Sequence, residues 1–214
     1  MKDSRLATLA ILGALLLSLP AFAGDIFTVF DQPTGVYLTS TTNYGGGDGS
    51  GNTISSLGTF NFSNPLSQRN VPNSWGTWSC PPDTESCTPN VLFNVGSSLL
   101  TLTLTAQDNT AGFELEPDDF AVESVGASFY NQLGVLIATI TRSPNGSSGA
   151  LLFALQDNTP GNWISRIDIN DSTGDDFAIA QLRQGSSAVP EPAGMSILGM
   201  FLLGALGLCR KMKP

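Results

Sequence analysis

Apolar and polar residues alternate along most of this chain. In LLTLTLTA (residues 99–106), Leu100, Leu102 and Leu104 fall on one side and Thr101, Thr103 and Thr105 on the other. A period of two marks a half-buried β-strand. Similar runs recur at DIFTVF (25–30), GVYLTS (35–40), VLFNV (91–95), FAVESVGASFY (120–130), GVLIATITR (134–142), ALLFALQ (150–156), WISRIDI (163–169) and DFAIAQLR (176–183). Turn formers such as NYGGGDGSGN, SPNGSSG and DNTPGN separate them. Between residues 24 and 188 no apolar stripe runs at helical spacing over three turns. The pattern predicts an all-β fold, a single antiparallel β-sandwich of jelly-roll type.

Two apolar runs break the alternation, one at each end. The first, Leu6 to Leu19, follows Lys2 and Arg5 and precedes Ala21-Phe22-Ala23. A basic start, a short apolar core and small residues at Ala21 and Ala23 predict a signal peptide over residues 1–23. The second, Ala193 to Cys209, has no charge and ends against Arg210, Lys211 and Lys213. As a helix it would reach roughly 25 Å, near the short limit for a bilayer. Basic residues beside both runs stay cytoplasmic, which places residues 24–188 outside as one extracellular domain.

Val189-Pro190-Glu191-Pro192, a glycine-rich apolar segment and a basic stub follow one another over residues 189–214. This order resembles the sorting signal of PEP-CTERM proteins. The resemblance implies export in a Gram-negative bacterium, transient residence in the inner membrane, and removal of the tail by an exosortase. The protein would then reach the cell surface or the extracellular exopolysaccharide matrix. The prolines fit this role, since Pro190 and Pro192 forbid helix and hold the motif extended. GASFYNQLGVLIATI, GNWISRIDI and GDDFAIAQL are also similar to the closing strands of many PEP-CTERM ectodomains. In those the last strand often carries acids where this chain has Ala180 and Gln181.

Charge narrows the partners. Residues 24–188 hold four arginines and no lysine against sixteen carboxylates, a net charge of 4 − 16 = −12. Such a surface repels nucleic acid and anionic headgroups. Histidine is absent from the chain, which excludes Ser-His-Asp and Cys-His nucleophile systems and removes the commonest zinc ligand. Cys80 and Cys87 enclose PPDTES and, outside the cell, read as a disulfide stabilising by roughly 2.5 kcal/mol. Cys209 would leave with the tail.

Four groups of residues carry candidate chemistry. Asp168, Asn170, Asp171, Asp175 and Asp176 in DINDSTGDDF offer oxygen ligands for calcium, or serve a hairpin between two strands. An EF-hand starting at Asp168 fails, because Thr173 and Ile179 occupy its obligatory Gly and Glu positions. AQDNTAGF and LQDNTPGN share a turn sequence, read as two strand-ending turns or as paired calcium loops. Glu114 and Glu116 lie on one side of an extended strand, either as a glycosidase-like carboxyl pair or as an exposed, self-repelling strand end. Trp75 and Trp78 either stack on sugar rings or cover the Cys80–Cys87 bridge, while Trp163 belongs to the core. The expected function is a non-enzymatic surface or matrix protein that binds or organises exopolysaccharide, with no cofactor beyond calcium. The rivals are a carbohydrate-active hydrolase using the paired carboxylates and a homotypic adhesin.

Overall fold

The computed structural model describes residues 27–33, 41–42, 48–49 and 51–186. The expected signal peptide with Ala21 and Ala23, the motif Val189–Pro192 and the basic residues Arg210, Lys211 and Lys213 lie outside the described residues, as does GVYLTS (35–40). Among the described residues the protein is all-β, with twelve strands and no helix. They are β1 (Phe27–Phe30), β2 (Thr41–Thr42), β3 (Thr53–Leu57), β4 (Phe60–Asn70), β5 (Asn90–Asn94) and β6 (Leu99–Leu104). Then follow β7 (Thr110–Pro117), β8 (Val125–Asn131), β9 (Leu136–Arg142), β10 (Leu151–Asp157), β11 (Ile164–Asp171) and β12 (Phe177–Gly185).

All pairings are antiparallel and run through one continuous sheet in the order β1-β10-β7-β12-β5-β4-β6-β11-β8-β9, with β3 beside β4 and β2 beside β12. Hydrogen bonding does not divide the strands into the two separate sheets expected of a sandwich. Instead the sheet curls until its ends nearly meet. Arg142 at the end of β9 bridges the seam, donating from Nη2 to the Phe30 carbonyl of β1 (2.9 Å) and to Asp31 (2.8 Å). Near-closure leaves few exposed ladder edges.

The interior is apolar. Leu100, Leu102 and Leu104 of β6 point inward, as their alternation requires. Phe60, Phe113, Phe129, Phe153 and Phe177 are fully buried, and Phe113 stacks on Phe153 with centroids 5.5 Å apart. The polar strand β4, FNFSNPLSQRN, escapes a pattern search because it holds Pro65. The proline is accommodated because β4 changes partner there. Residues 60–62 pair with β6 and residues 67–70 with β5, so Pro65 is asked for no ladder bond.

Two strands are covered on both faces. Every residue of β7 and of β12 is buried. On β12, Phe177, Ile179 and Leu182 face the main core, whereas Ala178 and Ala180 join an outer cluster. A bulge between Ala180 and Arg183, with Gln181 at φ 50°, makes the change of parity. It brings Arg183 to the outer face, where an unbulged strand would put Leu182. That outer face lies beneath the connection from β4 to β5, residues 71–89, which acts as a lid.

The lid is anchored next to a close backbone crossing. A Cβ at Gly146 would fall 1.5 Å from the Asp119 carbonyl oxygen and 2.8 Å from that of Pro117. Gly146→Ala should therefore lower stability by about 2 kcal/mol or more, measured by chemical denaturation. Gly76→Ala, whose Cβ would meet nothing within 4 Å, should change it by less than about 0.5 kcal/mol.

Candidate functional site

The lid closes over Glu114 and Glu116. Both side chains leave β7 on the face opposite Phe113 and Leu115, which the i, i+2 geometry dictates. Both are 0% exposed. This corrects the reading of ELEPDD as a solvated strand end. The alternation was right, but the outer face of this strand is not the surface of the protein.

Trp75 and Trp78 press onto that face with only 7% and 4% of their surface accessible. They pack with Val71, Val91, Ala150, Ala178 and Ala180, and Trp75 meets Phe93 at a centroid distance of 5.1 Å. The small residues Ala178 and Ala180 leave room for the indoles. The rings are thus closed to a sugar in this arrangement, but they cover the two glutamates and not the Cys80–Cys87 bridge, both of whose cysteines are exposed. The Cys80–Cys87 disulfide forms within the lid, as expected. Trp163, expected in the core, is half-buried.

Each carboxylate is met by donors from the lid and its neighbours. Trp78 Nε1 donates to Glu114 Oε2 (3.1 Å) and the Glu85 amide to Glu114 Oε1 (2.7 Å). Trp75 Nε1 points at Glu116 Oε2 (3.4 Å), while the Thr77 hydroxyl (2.8 Å) and the Ser148 amide (3.0 Å) donate to Oε1. Arg183 clamps the Glu85 carboxylate with Nε and Nη2. Burial pushes Glu114 up to about 8, and the bonds from Trp78 and the Glu85 amide offset only part of that. Burial likewise raises Glu116, against the bonds from Thr77, Ser148 and Trp75. Burial thus raises both carboxyls, and neither is accessible to solvent.

The acidic segment after β11 behaves differently from either expectation. It is not a hairpin, because β11 pairs with β6 and β8 whereas β12 pairs with β2, β5 and β7. The segment crosses between non-neighbouring strands. Its expected ligands separate accordingly. Asp168 stays on β11, accepting from Thr101 Oγ1 (2.9 Å) and paired with Arg166, and Asn170 is exposed on the same strand. Asp176 accepts from the Gly96 amide (2.7 Å).

Asp171 and Asp175 instead meet residues from the loop after β7. Ligand oxygens of Asp119, Glu123 and Asp175 all lie within 4.8 Å of one another, close enough to share one cation. Glu123 is buried, and its carboxyl lies against those of Asp171 and Asp119. Burial and then Asp171 push Glu123 up to about 8, partly offset by the Thr173 hydroxyl at 2.8 Å. Asp118 is raised too, by burial and then by Asp176. Asp119 and Glu123 carry no local signal of this convergence, since PDDFAVES reads as a turn entering a strand. The two DNT turns also meet, through the Asp157 amide on the Asn109 carbonyl (2.7 Å). Only the second ends a strand, as the first leads into β7.

No protein-family model matches the chain, and no curated protein does. Among solved structures it is similar to the enzymatically active domain of tailspike protein 4 of bacteriophage CBA120, at 17% identity and TM-score 0.36 over 67% of this chain and 21% of that one. It is also similar to the arabinose-bound MgGH51 α-L-arabinofuranosidase, at 12% identity and TM-score 0.38 over 76% and 27%. A third is the family 11 carbohydrate-binding module of the cellulosomal cellulase Lic26A-Cel5E of Clostridium thermocellum, at 11% identity and TM-score 0.29 over 77% and 97%. The chain thus spans about a fifth and about a quarter of the first two. These superpositions are too loose to make its fold theirs.

The raised Glu114 has a defined pH consequence. Its folded value of about 8 lies above the ordinary 4.5, so the folded state holds the proton more tightly. The stability this confers is complete below pH of about 4.5 and is lost as pH rises through about 8. Glu114→Gln mimics the neutral acid and does not titrate. The melting-temperature difference, wild type minus variant, should be largest near pH of about 5 and should fall by the equivalent of a few kcal/mol by pH of about 9. Thermal melts of the full chain across this range measure it, and a pH-independent difference would contradict the assignment.

Proposed function

We propose that this chain is an exported surface or matrix protein, sorted by exosortase at Val189–Pro192, whose β-domain binds exopolysaccharide without turning it over. The observation that carries the non-catalytic reading is the sealing of Glu114 and Glu116 beneath Trp75 and Trp78. A carboxyl pair that cleaves a glycosidic bond must touch the leaving oxygen and admit water. Here the oxygens of both glutamates already accept bonds from the lid.

Binding is supported at the rim of the lid instead. Phe120 is 77% exposed and borders a shallow depression lined by Gly76, Thr77, Pro117, Asp118 and Gly146. An open aromatic face beside hydrogen-bonding groups suits the apolar face of a sugar. The net negative charge favours a neutral polymer over an anionic one.

Retention on the exopolysaccharide of the producing strain tests the binding half. The full chain should be retained and release no reducing sugar. Phe120→Ala should weaken retention at least about fivefold with the melting temperature unchanged. Sugar release abolished by Glu114→Gln would overturn the non-catalytic reading. Replacing Pro190-Glu191-Pro192 with three alanines should leave full-length protein in the inner membrane, and an unchanged mature mass would overturn the sorting reading.

A further inference from the structure

We infer that Asp119, Glu123, Asp171 and Asp175 form a calcium site that ties the β11–β12 crossover to the loop following β7. Three of these residues offer carboxylate oxygens within 4.8 Å of one another. Two oxygens that each lie about 2.4 Å from a shared calcium ion are separated by at most about 4.8 Å. The three are therefore close enough to share one ion. They come from segments far apart in sequence, and the crossover brings them together.

The fourth residue gives an independent indication. Asp171 is 2% exposed, and its Oδ2 has no hydrogen-bond partner. Its Oδ1 is satisfied, accepting from the amide of Thr173 (2.9 Å). A buried carboxylate oxygen without a donor is costly. This one belongs to a carboxyl group that lies against Glu123, and two carboxyls in contact need a proton or a cation between them. A cation between them satisfies both.

The surroundings select the ion. The chain has no histidine, and both described cysteines are joined in the disulfide, so soft metals lack their preferred donors. The four arginines among the described residues are engaged elsewhere. Arg142 holds Asp31, Arg166 holds Asp168, Arg183 holds Glu85, and Arg69 lies over Phe93 and acts on Asp118. The set consists of hard oxygens in an irregular arrangement. Calcium accepts six to eight such ligands with flexible geometry, whereas magnesium demands a near-ideal octahedron. Waters complete the shell through the exposed sides of Asp119 and Asp175.

This site differs from the one suggested by the run Asp168–Asp176, since Asp168 and Asn170 take no part. Equilibrium dialysis of the full chain against calcium, with thermal melts in calcium and in chelator, tests it. One ion should bind per chain with a dissociation constant on the order of 10⁻⁴–10⁻³ M, and calcium should raise the melting temperature more than equal magnesium. Asp119→Asn and Asp175→Asn, both at exposed positions, should each weaken binding at least about tenfold. Asp168→Asn should leave it unchanged. No retained calcium at about 10 mM, undiminished binding in Asp119→Asn and Asp175→Asn, or loss of binding in Asp168→Asn would each overturn the site.

Discussion

A carboxylate buried on a strand must find donors, and two of them two residues apart must find donors on the same side. Glu114 and Glu116 impose this demand on the outer face of β7, and the lid over residues 71–89 answers it. Much else follows. The alanines of β12 are small, which leaves room for two indoles to pack against the sheet. The bulge at Gln181 turns Arg183 outward so that it can clamp Glu85, whose amide holds Glu114. The disulfide confines the stretch of lid that carries that amide.

The lid also governs where the surface begins. With Trp75 and Trp78 turned inward, the aromatic ring left facing solvent beside it is Phe120. Phe120 follows Asp119 directly, so the rim of the lid and the acidic crossover belong to one stretch of surface. Part of the negative charge that composition reports as a bulk property gathers there, where Asp118, Asp119, Asp175 and Asp176 line one depression.

The all-β class and the strands with clean alternation were legible because one of their faces meets the core and the other meets water. β6 is the clearest case, and the disulfide was equally plain from spacing and compartment. β4 was hidden by Pro65 and its asparagines, whose fitness depends on a change of partner that no local pattern records. β7 misled in a different way. Its period of two was visible, but burial of the polar face depends on a lid from forty residues upstream. The acidic group was half legible. Asp171 and Asp175 stand together in the chain, while Asp119 and Glu123 join them only because β11 and β12 are not neighbours.

The sheet order has a bearing on when this domain can exist at all. β1 pairs with β10, β2 pairs with β12, and β7 lies between β10 and β12. The first strands in the chain thus wait for the last, and little of the barrel-like wall can be completed from an N-terminal fragment. Such long-range pairing is slow and late. On the export reading, the chain would cross the membrane as an open polymer and close only after β12 emerges, a few residues before Val189. Folding of the domain and presentation of the sorting motif would then be nearly the same moment.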